Sequence, residues 1–341
     1  MDESSNIVKT TVISTRIRLA RNLSGYPFPA RLKKAQAKQI VAAVEKALSG
    51  IDRFTKYEMS DTSDEQAALL REKYLISPEL IKKKDISAAF VSSDREVSIM
   101  VNEEDHLREQ YILKTFNLYK AYERMSGIDE ELEKKLPFAF DEKLGYLSAC
   151  PTNLGTGLRA SVLMFLPGLS QYKKLEKLRP ALERNGLTVR GGFGEGTLAD
   201  GFTYQISNER TLGYSEQDIL SHMDEVTLNL AELEVRAREK MLAEYGLHYK
   251  DVCLRAYGAL CNCANLSVGE LESEVVKVRL GVALGFFGVP KGMDAFNDFI
   301  ANMRPASFKV GNCAGLNEQE ADIRRAEIVG KVLPGLVKRK V

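Results

Sequence analysis

Residues 97–108 of the chain read VSIMVNEEDHLR, an apolar run that stops in a cluster of charges. Val97, Ile99 and Val101 alternate with other residues, which predicts a half-buried strand. A carboxylate at the end of a rigid strand can orient or deprotonate a nucleophile, so Glu104 is a candidate for that role. Arg108 is the nearest counter-charge and could instead bind a phosphate. A solvated acidic loop is the alternative interpretation.

The composition sets limits on the class of protein. A chain of 341 residues exceeds one typical core, so we expect two domains. Lys and Arg total 48 against 47 Asp and Glu, so no global field favours nucleic acid or an anionic membrane, and an anion site must be local. Five cysteines without an export signal predict reduced thiols in the cytoplasm. Cys261 and Cys263 could bind zinc only with ligands from elsewhere in the chain.

A second informative segment, residues 150–160, reads CPTNLGTGLRA. We predict a short strand over 146–150, then a turn of small residues, then a helix over 161–166. Such a turn can offer backbone N–H groups and a helix end to an anion. Its glycines match a dinucleotide-binding pattern, but the neighbouring strands are predicted as hairpins, so a dehydrogenase is the weakest hypothesis. Cys150 could be a reactive thiol or a small buried core residue.

Arginine recurs at predicted strand ends and turns. The positions are Arg16, Arg18, Arg108, Arg159 and Arg190. Arg16 and Arg18 follow a strand predicted over 8–13 at a sheet edge. They point the same way on an extended segment, so they repel each other unless an anion lies between them. A basic edge strand that blocks aggregation is the alternative. Together the five could bind a polyphosphate through bidentate hydrogen bonds.

A third segment, residues 190–196, reads RGGFGEG and places Glu195 among four glycines. A carboxylate in such a loop is better suited to act than to pack, although a plain hairpin turn has the same composition. Further along, strand signals stop after Ile206, and Ser215 with Asp218 forms a capping box that opens a long helix. The chain therefore divides into a mixed part up to about residue 237 and a helical part after it.

Five segments, taken in order, resemble the phosphagen (ATP:guanido) kinases, and most closely their bacterial protein-arginine kinase branch. They are STRIR at 14–18, NEEDHLR at 102–108, CPTNLGT at 150–156, RASV at 159–162 and RGGFGE at 190–195. Three features indicate the bacterial branch. The arginine strand begins almost at once, without the leading helical domain of the metabolite kinases. The glycine loop lacks their arginine and histidine–threonine pair, and a helical extension follows the catalytic part.

The resemblance implies roles for particular residues. Glu104 and Glu195 would grip the substrate guanidinium, with Glu104 as general base, and Cys150 as a thiolate would add negative charge beside it. The five arginines and Mg²⁺, which would have no direct protein ligand, would neutralise the transferring phosphoryl group. The ATP-binding residues would be Ser14, Thr15, Arg16, Ile17, Arg18, Arg108, Arg159, Ala160, Ser161, Val162, Arg190, Gly191, Gly192, Phe193, Gly194 and Glu195.

The resemblance also implies an architecture and partners. We expect an α+β catalytic domain over 6–237, built on an antiparallel sheet flanked by helices in a glutamine-synthetase-like fold. An all-helical domain over 238–341 would serve dimerisation and phosphoarginine recognition. The expected partners are protein substrates that bear arginine, a second copy of the chain, a zinc-binding activator and a Clp protease system. The setting would be the bacterial cytoplasm and its stress response, without nucleic acid or membrane.

Two positions depart from the branch. Tyr74 stands where the branch often has histidine before Leu-Ile-Ser-Pro, so a nucleotide contact there is not carried over. Residues 321–326 read ADIRRA instead of Arg-Asp-x-x-Arg-Ala. The allosteric site for phosphoarginine would keep Asp322 and Arg325 but lack its first arginine, so we expect a weakened or absent response to phosphoarginine.

Two other functions compete with a protein-arginine kinase. One is a kinase for a small guanidino metabolite such as free arginine, which the absence of the leading helical domain disfavours. The other is a non-catalytic dimeric adaptor that binds phosphoarginine. An adaptor would not need Glu104, Cys150, Glu195 or the arginine set, yet all of them are present.

Overall fold

A computed structural model of the chain describes residues 8–191, 201–312 and 315–340. Its centre is an eight-stranded sheet in which all neighbouring strands are antiparallel. The strands in chain order are β1 (Val12–Arg21), β2 (Phe54–Glu58), β3 (Ala88–Ser92), β4 (Val97–Val101), β5 (Leu107–Leu113), β6 (Phe140–Asp141), β7 (Gly145–Tyr146), β8 (Leu158–Phe165), β9 (Leu187–Gly191), β10 (Thr203–Asn208), β11 (Phe287–Gly288) and β12 (Lys338–Arg339). The large sheet has the order β2-β3-β4-β5-β1-β8-β10-β9, while β6 pairs with β7 and β11 with β12.

Helices cover one face of this sheet and form most of the C-terminal part. The main α-helices are α1 (Lys34–Leu48), α2 (Asp64–Glu72), α3 (Pro78–Lys82), α4 (Leu118–Glu133), α5 (Pro167–Gln171), α6 (Lys174–Arg184), α7 (Glu216–Asn262), α8 (Val268–Ala283), α9 (Gly292–Asn302), α10 (Pro305–Asn312) and α11 (Glu318–Leu336). The prediction of an α+β fold with an antiparallel sheet is confirmed. The C-terminal part is mostly helical, with only the short β11–β12 ladder added to the prediction.

The two faces of the sheet differ in chemistry because side chains alternate along each strand. Ile17, Val162 and Ile206 belong to the apolar face, which is buried in one hydrophobic cluster with α1, α4 and the first half of α7. Directly opposite residues of antiparallel strands share a face. The register of β1 with β8 therefore places Arg16 and Arg18 together on the other face, which faces a cleft. One face of the sheet therefore packs into the hydrophobic core, and the other face carries the arginines toward the cleft.

Three local predictions were wrong. The first strand is not an edge strand over 8–13: β1 spans Val12–Arg21 and lies between β5 and β8. It continues through the arginines because the residues between them face the core. Residues 161–166 are not a helix: all but the last lie in the second half of strand β8. A short apolar run fits a buried strand as well as a helix. Residues 147–150 lie outside the two-residue strand β7.

A second hydrophobic cluster organises the C-terminal part. It joins the later half of α7 to α8 and α11 and includes Leu260, Val278 and Val329. Within α7, the first cluster ends at Ala237 and the second begins at Met241. The division of the chain into domains near residue 237 stays a prediction. None of the helices in the described ranges combines the length and the hydropathy that a bilayer crossing needs.

Polar contacts also tie the helical part to the β2–β5 side of the sheet. The Glu72 carboxylate accepts hydrogen bonds from the backbone N–H groups of Ala306 and Ser307, both at 2.8 Å, at the start of α10. Lys114 pairs with Asp298 at 2.9 Å, and Lys309 of α10 pairs with Glu65 at 2.5 Å. We call these contacts the outer bridge.

Candidate active site

Four of the five predicted arginines lie in neighbouring rows on the open face of the sheet. Arg18 of β1 is directly opposite Arg159 of β8, and Arg16 is one row away on the same face. Arg108 of β5 lies opposite Ala20, on the other side of Arg18. The fifth, Arg190, is near the end of β9 opposite Gln205. Gln205 accepts a hydrogen bond from Arg16 at 2.8 Å, so it links the two ends of the cluster.

Within the described residues, only Arg108 of these five arginines forms an ion pair with a carboxylate. Burial, together with the nearby Arg108 and Arg159, lowers the pKa of Arg16 to about 10. Burial also lowers the pKa of Arg18 well below its ordinary value, and neighbouring guanidinium groups add to the effect. The buried Nε atoms of Arg18 and Arg159 have no hydrogen-bond partner. Buried donors of like charge that lack acceptors suit a bound polyanion, and a polyphosphate fits their planar geometry.

Arg108 is held by a carboxylate that the sequence analysis did not single out. Glu103 is buried and accepts from Arg108 Nη1 at 2.6 Å and from the hydroxyl of Ser77. Burial opposes ionisation of Glu103, but Arg108 and Ser77 outweigh it and hold the pKa of Glu103 below its usual range. Glu103 thus fixes one guanidinium of the cluster. Its partner Ser77 is 26 residues away in sequence, so no local pattern reveals the contact.

Glu104 is the exposed side chain of a loop whose other side chains are buried. Next to it, Glu103 and Asp105 point into the protein. His106 is also internal: its Nδ1 accepts from the Leu23 N–H at 3.0 Å, and its Nε2 lies 2.9 Å from the Pro27 carbonyl oxygen. Burial lowers the pKa of His106, which agrees with a neutral ring. Glu104 is therefore the carboxylate that this loop presents to solvent.

Asp105 connects the Glu104 loop to the segment that carries Cys150. Its Oδ1 accepts from the backbone N–H of Ala149 at 2.7 Å and from the side chain of Asn22 at 2.6 Å. Its Oδ2 accepts from the Ser148 hydroxyl at 2.9 Å, and that hydroxyl accepts from the Cys150 N–H at 3.2 Å. Cys150 is half-buried. One buried carboxylate thus fixes the backbone beside two candidate catalytic residues.

The remaining predicted site residues divide into three groups. Ser14 and Ser161 lie on the open face with the arginines. The side chains of Thr15, Ile17, Ala160 and Val162 are buried on the opposite face, so these side chains do not reach the cleft. Gly191 ends β9. Gly192, Phe193, Gly194 and Glu195 lie outside the described residues, so the second predicted carboxylate has no described position.

The open face borders two cavities. One, of about 550 Å³, is lined by Ser14 and Leu163 from the sheet and by Val275 and Arg279 from α8. The other, of about 640 Å³, is lined by Arg16, Arg108 and Tyr74. The Tyr74 hydroxyl accepts a hydrogen bond from Arg304 at 3.2 Å, so this position is used in a contact between the two parts of the chain.

The residues predicted to recognise phosphoarginine lie elsewhere, on α11. Arg325 is buried and donates to the Leu266 carbonyl at 2.7 Å and to Asp322. Its guanidinium carbon lies 4.8 Å from the centre of the Phe308 ring. Asp322 and Arg325 therefore bind each other, and Ala321 beside them is half-buried.

Comparisons with known proteins give the family of the chain. Residues 35–237 match the ATP:guanido phosphotransferase C-terminal catalytic domain, and residues 247–340 match the protein-arginine kinase McsB C-terminal domain. The protein-arginine kinase of Symbiobacterium thermophilum is 41% identical over 93% of this chain and 92% of that protein. The protein of the same name from Clostridium acetobutylicum is 39% identical over 92% of this chain and 94% of that protein.

Solved structures show the same fold. The duplicated taurocyamine kinase of Schistosoma mansoni, with bound transition state analog components, superimposes with a TM-score of 0.63 at 29% identity, over 74% of this chain and 38% of that one. A lombricine kinase gives a TM-score of 0.57 at 28% identity, over 70% of this chain and 68% of that one. Together with its nearly full-length relatives, these matches show that the chain belongs to the ATP:guanido phosphotransferase family, within its protein-arginine kinase branch.

Proposed function

We propose that the chain transfers the γ-phosphoryl group of ATP to arginine side chains in proteins. The observation that carries the proposal is the cluster of arginines in which, among the described residues, only Arg108 pairs with a carboxylate, next to the exposed Glu104 and the half-buried Cys150. A cationic cleft beside an exposed carboxylate suits a reaction between a polyphosphate and a cationic guanidinium. Membership of the protein-arginine kinase branch supports protein as the acceptor.

The arginine cluster would hold the nucleotide. Arg16, Arg18 and Arg159 offer converging donors on one face, so they suit the phosphates. Mg²⁺ would supply further charge neutralisation on the phosphate oxygens. The described residues contain no cluster of three or more His, Cys, Asp or Glu side chains that could hold a metal ion. As the family resemblance implies, we propose that Mg²⁺ is carried by the nucleotide and has no direct protein ligand.

Glu104 and Cys150 would handle the substrate guanidinium. Glu104 would orient the group by accepting its N–H hydrogen bonds and would take one proton as the nitrogen attacks the γ-phosphorus. The new N–P bond forms as the bond to the departing ADP oxygen breaks, and the arginines stabilise the charge on the transferring group. Cys150, as a thiolate, would add negative charge beside the guanidinium. We propose Glu195 as the second carboxylate on the strength of its glycine-rich loop.

The family branch also suggests partners. We propose a homodimer formed through the C-terminal helical part, a zinc-binding activator, and delivery of marked proteins to a Clp protease during bacterial stress in the cytoplasm. We further propose that Asp322 and Arg325 are the remnant of a phosphoarginine site that Ala321 weakens. In support, Nη1 of Arg325 already donates to Asp322 and to the Leu266 carbonyl.

A phosphoryl-transfer assay tests the proposed function. The purified chain is mixed with ATP, Mg²⁺ and an arginine-rich unfolded protein, and phosphorus NMR is used to detect an acid-labile N–P signal. We expect a signal from the wild type and from Glu123→Gln, an exposed carboxylate on α4 that serves as the matched control. We expect its loss in Glu104→Gln and in Glu195→Gln. Turnover of free arginine without any signal on protein would assign the chain to the metabolite kinases instead.

A further inference from the structure

Four large apolar side chains are exposed around one depression. Phe140 is 58% exposed, Leu144 42%, Leu212 47% and Tyr214 48%. They line a depression of about 250 Å³ together with the glycines of the β6–β7 hairpin and of the following loop. We call these four residues the hairpin patch. Contiguous exposed apolar surface on a soluble domain marks an interaction site more often than single exposed residues do.

The hairpin patch is rigid. The Asp141 carboxylate accepts hydrogen bonds from the backbone N–H groups of Lys143 at 2.8 Å and Leu144 at 3.0 Å, which fixes the turn. The Phe140 ring meets the Tyr146 ring edge-on at 5.3 Å, and the Arg21 guanidinium lies 3.6 Å from the centre of the Tyr146 ring. A preformed apolar surface binds a partner without first having to be ordered.

The patch shares a wall with the catalytic loop. A Cβ atom on Gly145 would lie 2.5 Å from the Gly155 carbonyl oxygen, and one on Gly155 would lie 2.6 Å from the Thr211 carbonyl oxygen. The backbones of the hairpin, the loop after Cys150 and the segment before Leu212 are therefore in direct contact. The Thr211 hydroxyl donates to the Thr152 carbonyl at 2.9 Å.

The loop that contacts the patch also contacts the Cys150 thiol. The Thr152 hydroxyl lies 3.1 Å from Cys150 Sγ. Leu212 follows Thr211 in the chain, so the patch and the thiol are joined through two consecutive residue contacts. An extended chain advances by about 3.3–3.6 Å per residue, so residues a few positions from an arginine held at Cys150 would be within reach of this surface.

Charged groups of both signs surround the depression. Glu216 and Lys143 line it, and Glu133, Lys134 and Glu142 are exposed on or beside the hairpin. Apolar contact with the patch, and not net charge, is therefore what would distinguish one polypeptide from another.

We propose that the hairpin patch binds apolar side chains next to the target arginine in an extended segment of the protein substrate. This inference rests on the proposed function and specifies its substrate class: arginines with apolar neighbours are preferred over arginines with small polar neighbours. Free arginine has no flanking residues, so it gains nothing from the patch.

The test uses two peptides with one arginine each, flanked by leucines in one and by serines in the other. Leu144→Ser and Leu212→Ser each remove one apolar contact, and Val310→Ser, 61% exposed on α10, is the matched control. Burial of one aliphatic side chain changes an equilibrium constant by about tenfold. We therefore expect each patch variant to lower kcat/KM for the leucine-flanked peptide about tenfold, through KM. The serine-flanked peptide, the KM for ATP and the Val310→Ser enzyme should be unchanged.

Three results would overturn the inference. Equal kcat/KM of the wild type for the two peptides would show that flanking residues do not reach the patch. Equal losses for both peptides in the variants would show that the patch only supports the catalytic loop. Equal losses of kcat/KM for both peptides, together with a lower mass of the patch variants in analytical ultracentrifugation, would show that the patch is an interface between copies of this chain. Turnover of free arginine but of neither peptide would instead refute the proposed function, and the inference with it.

Discussion

Replacing Asp105 by asparagine isolates the contact between the two candidate catalytic segments. Asparagine has the same shape but no charge, and one oxygen becomes an NH₂ group. The bonds from Ala149 and Asn22 to the remaining oxygen become neutral, and the Ser148 hydroxyl keeps only its longer bond, of 3.1 Å, to that oxygen. The arginine cluster does not contact Asp105, so nucleotide binding should be preserved.

The size of the effect follows from the bonds. A hydrogen bond to a charged group contributes about 1.5–3 kcal/mol against about 0.5–1.5 kcal/mol for a neutral one. Three weakened bonds, at about 1 kcal/mol each, therefore lower the free energy of unfolding by about 3 kcal/mol. A displacement of the Cys150 segment by about 1 Å would cost on the order of 100-fold in rate, so we expect kcat to fall by about that factor.

The assay combines unfolding with kinetics. Urea titration followed by circular dichroism gives the free energy of unfolding, and steady-state phosphorylation of a protein substrate gives kcat and the KM for ATP. Alkylation of Cys150 by iodoacetamide, read by mass spectrometry of its peptide, reports the local environment of the thiol. Asp52→Asn is the control, because that carboxylate also accepts two hydrogen bonds, but from Arg53 and Arg124 and not from this loop.

The reasoning is refuted by either of two results for Asp105→Asn. A normal kcat and normal alkylation of Cys150 in a destabilised but folded enzyme would reduce Asp105 to a purely structural residue. A raised KM for ATP with an unchanged kcat would mean that Asp105 acts on the nucleotide side of the site.

Three further predictions concern other charged groups. Asp129→Ala leaves the buried Arg21 guanidinium without its 2.7 Å partner, so urea unfolding should show a loss of about 3–5 kcal/mol, and a loss below about 1 kcal/mol would contradict the importance of the pair. The pKa of Glu103 is below its ordinary value of 4.5 in the folded protein, so the ionised carboxylate stabilises the fold at neutral pH. This stabilisation is lost as the pH falls through the lowered pKa. Glu103→Gln should remove that part of the acid sensitivity in an acid titration of the fold and should raise the KM for ATP; an acid transition as steep as that of the wild type would count against it. Ala321→Arg should strengthen activation by free phosphoarginine, and an unchanged response would argue against a weakened site.

The sequence predicted the fold class and the direction of the first two arginine side chains better than it predicted individual strands and helices. Alternation along β1 and β8 is a local property, so the shared direction of Arg16 and Arg18 could be read from spacing alone, as could the helix cap at Ser215. The central position of β1 could not be predicted from the sequence. In a sheet with one open face, an edge strand and a central strand show the same alternation of apolar and polar residues. The helix predicted over 161–166 failed because so short an apolar run has no decisive period.

The residues that sequence reasoning missed act through long-range contacts. Glu103 reaches Ser77, and Asp105 reaches Asn22 and the segment before Cys150. Each of these partners comes from another element of the fold, and only the folded topology brings them together. In the sequence, Glu103 and Asp105 are distinguished only by lying in the same acidic stretch as Glu104.

The outer bridge makes one attachment of the helical part sensitive to ionic strength. Glu72, Lys114 and Asp298 also line the 550 Å³ cavity beside the arginines, so the bridge spans the opening of that cavity. On the opposite side, the chain is continuous through α7 and packed by the second hydrophobic cluster. Exposed ion pairs weaken as salt is added, whereas apolar packing does not. The helical part is thus attached on one side by apolar packing, which does not depend on ionic strength, and on the other side by the outer bridge, which does. Added salt should therefore loosen the helical part at the outer bridge, while the second hydrophobic cluster holds its other side in place.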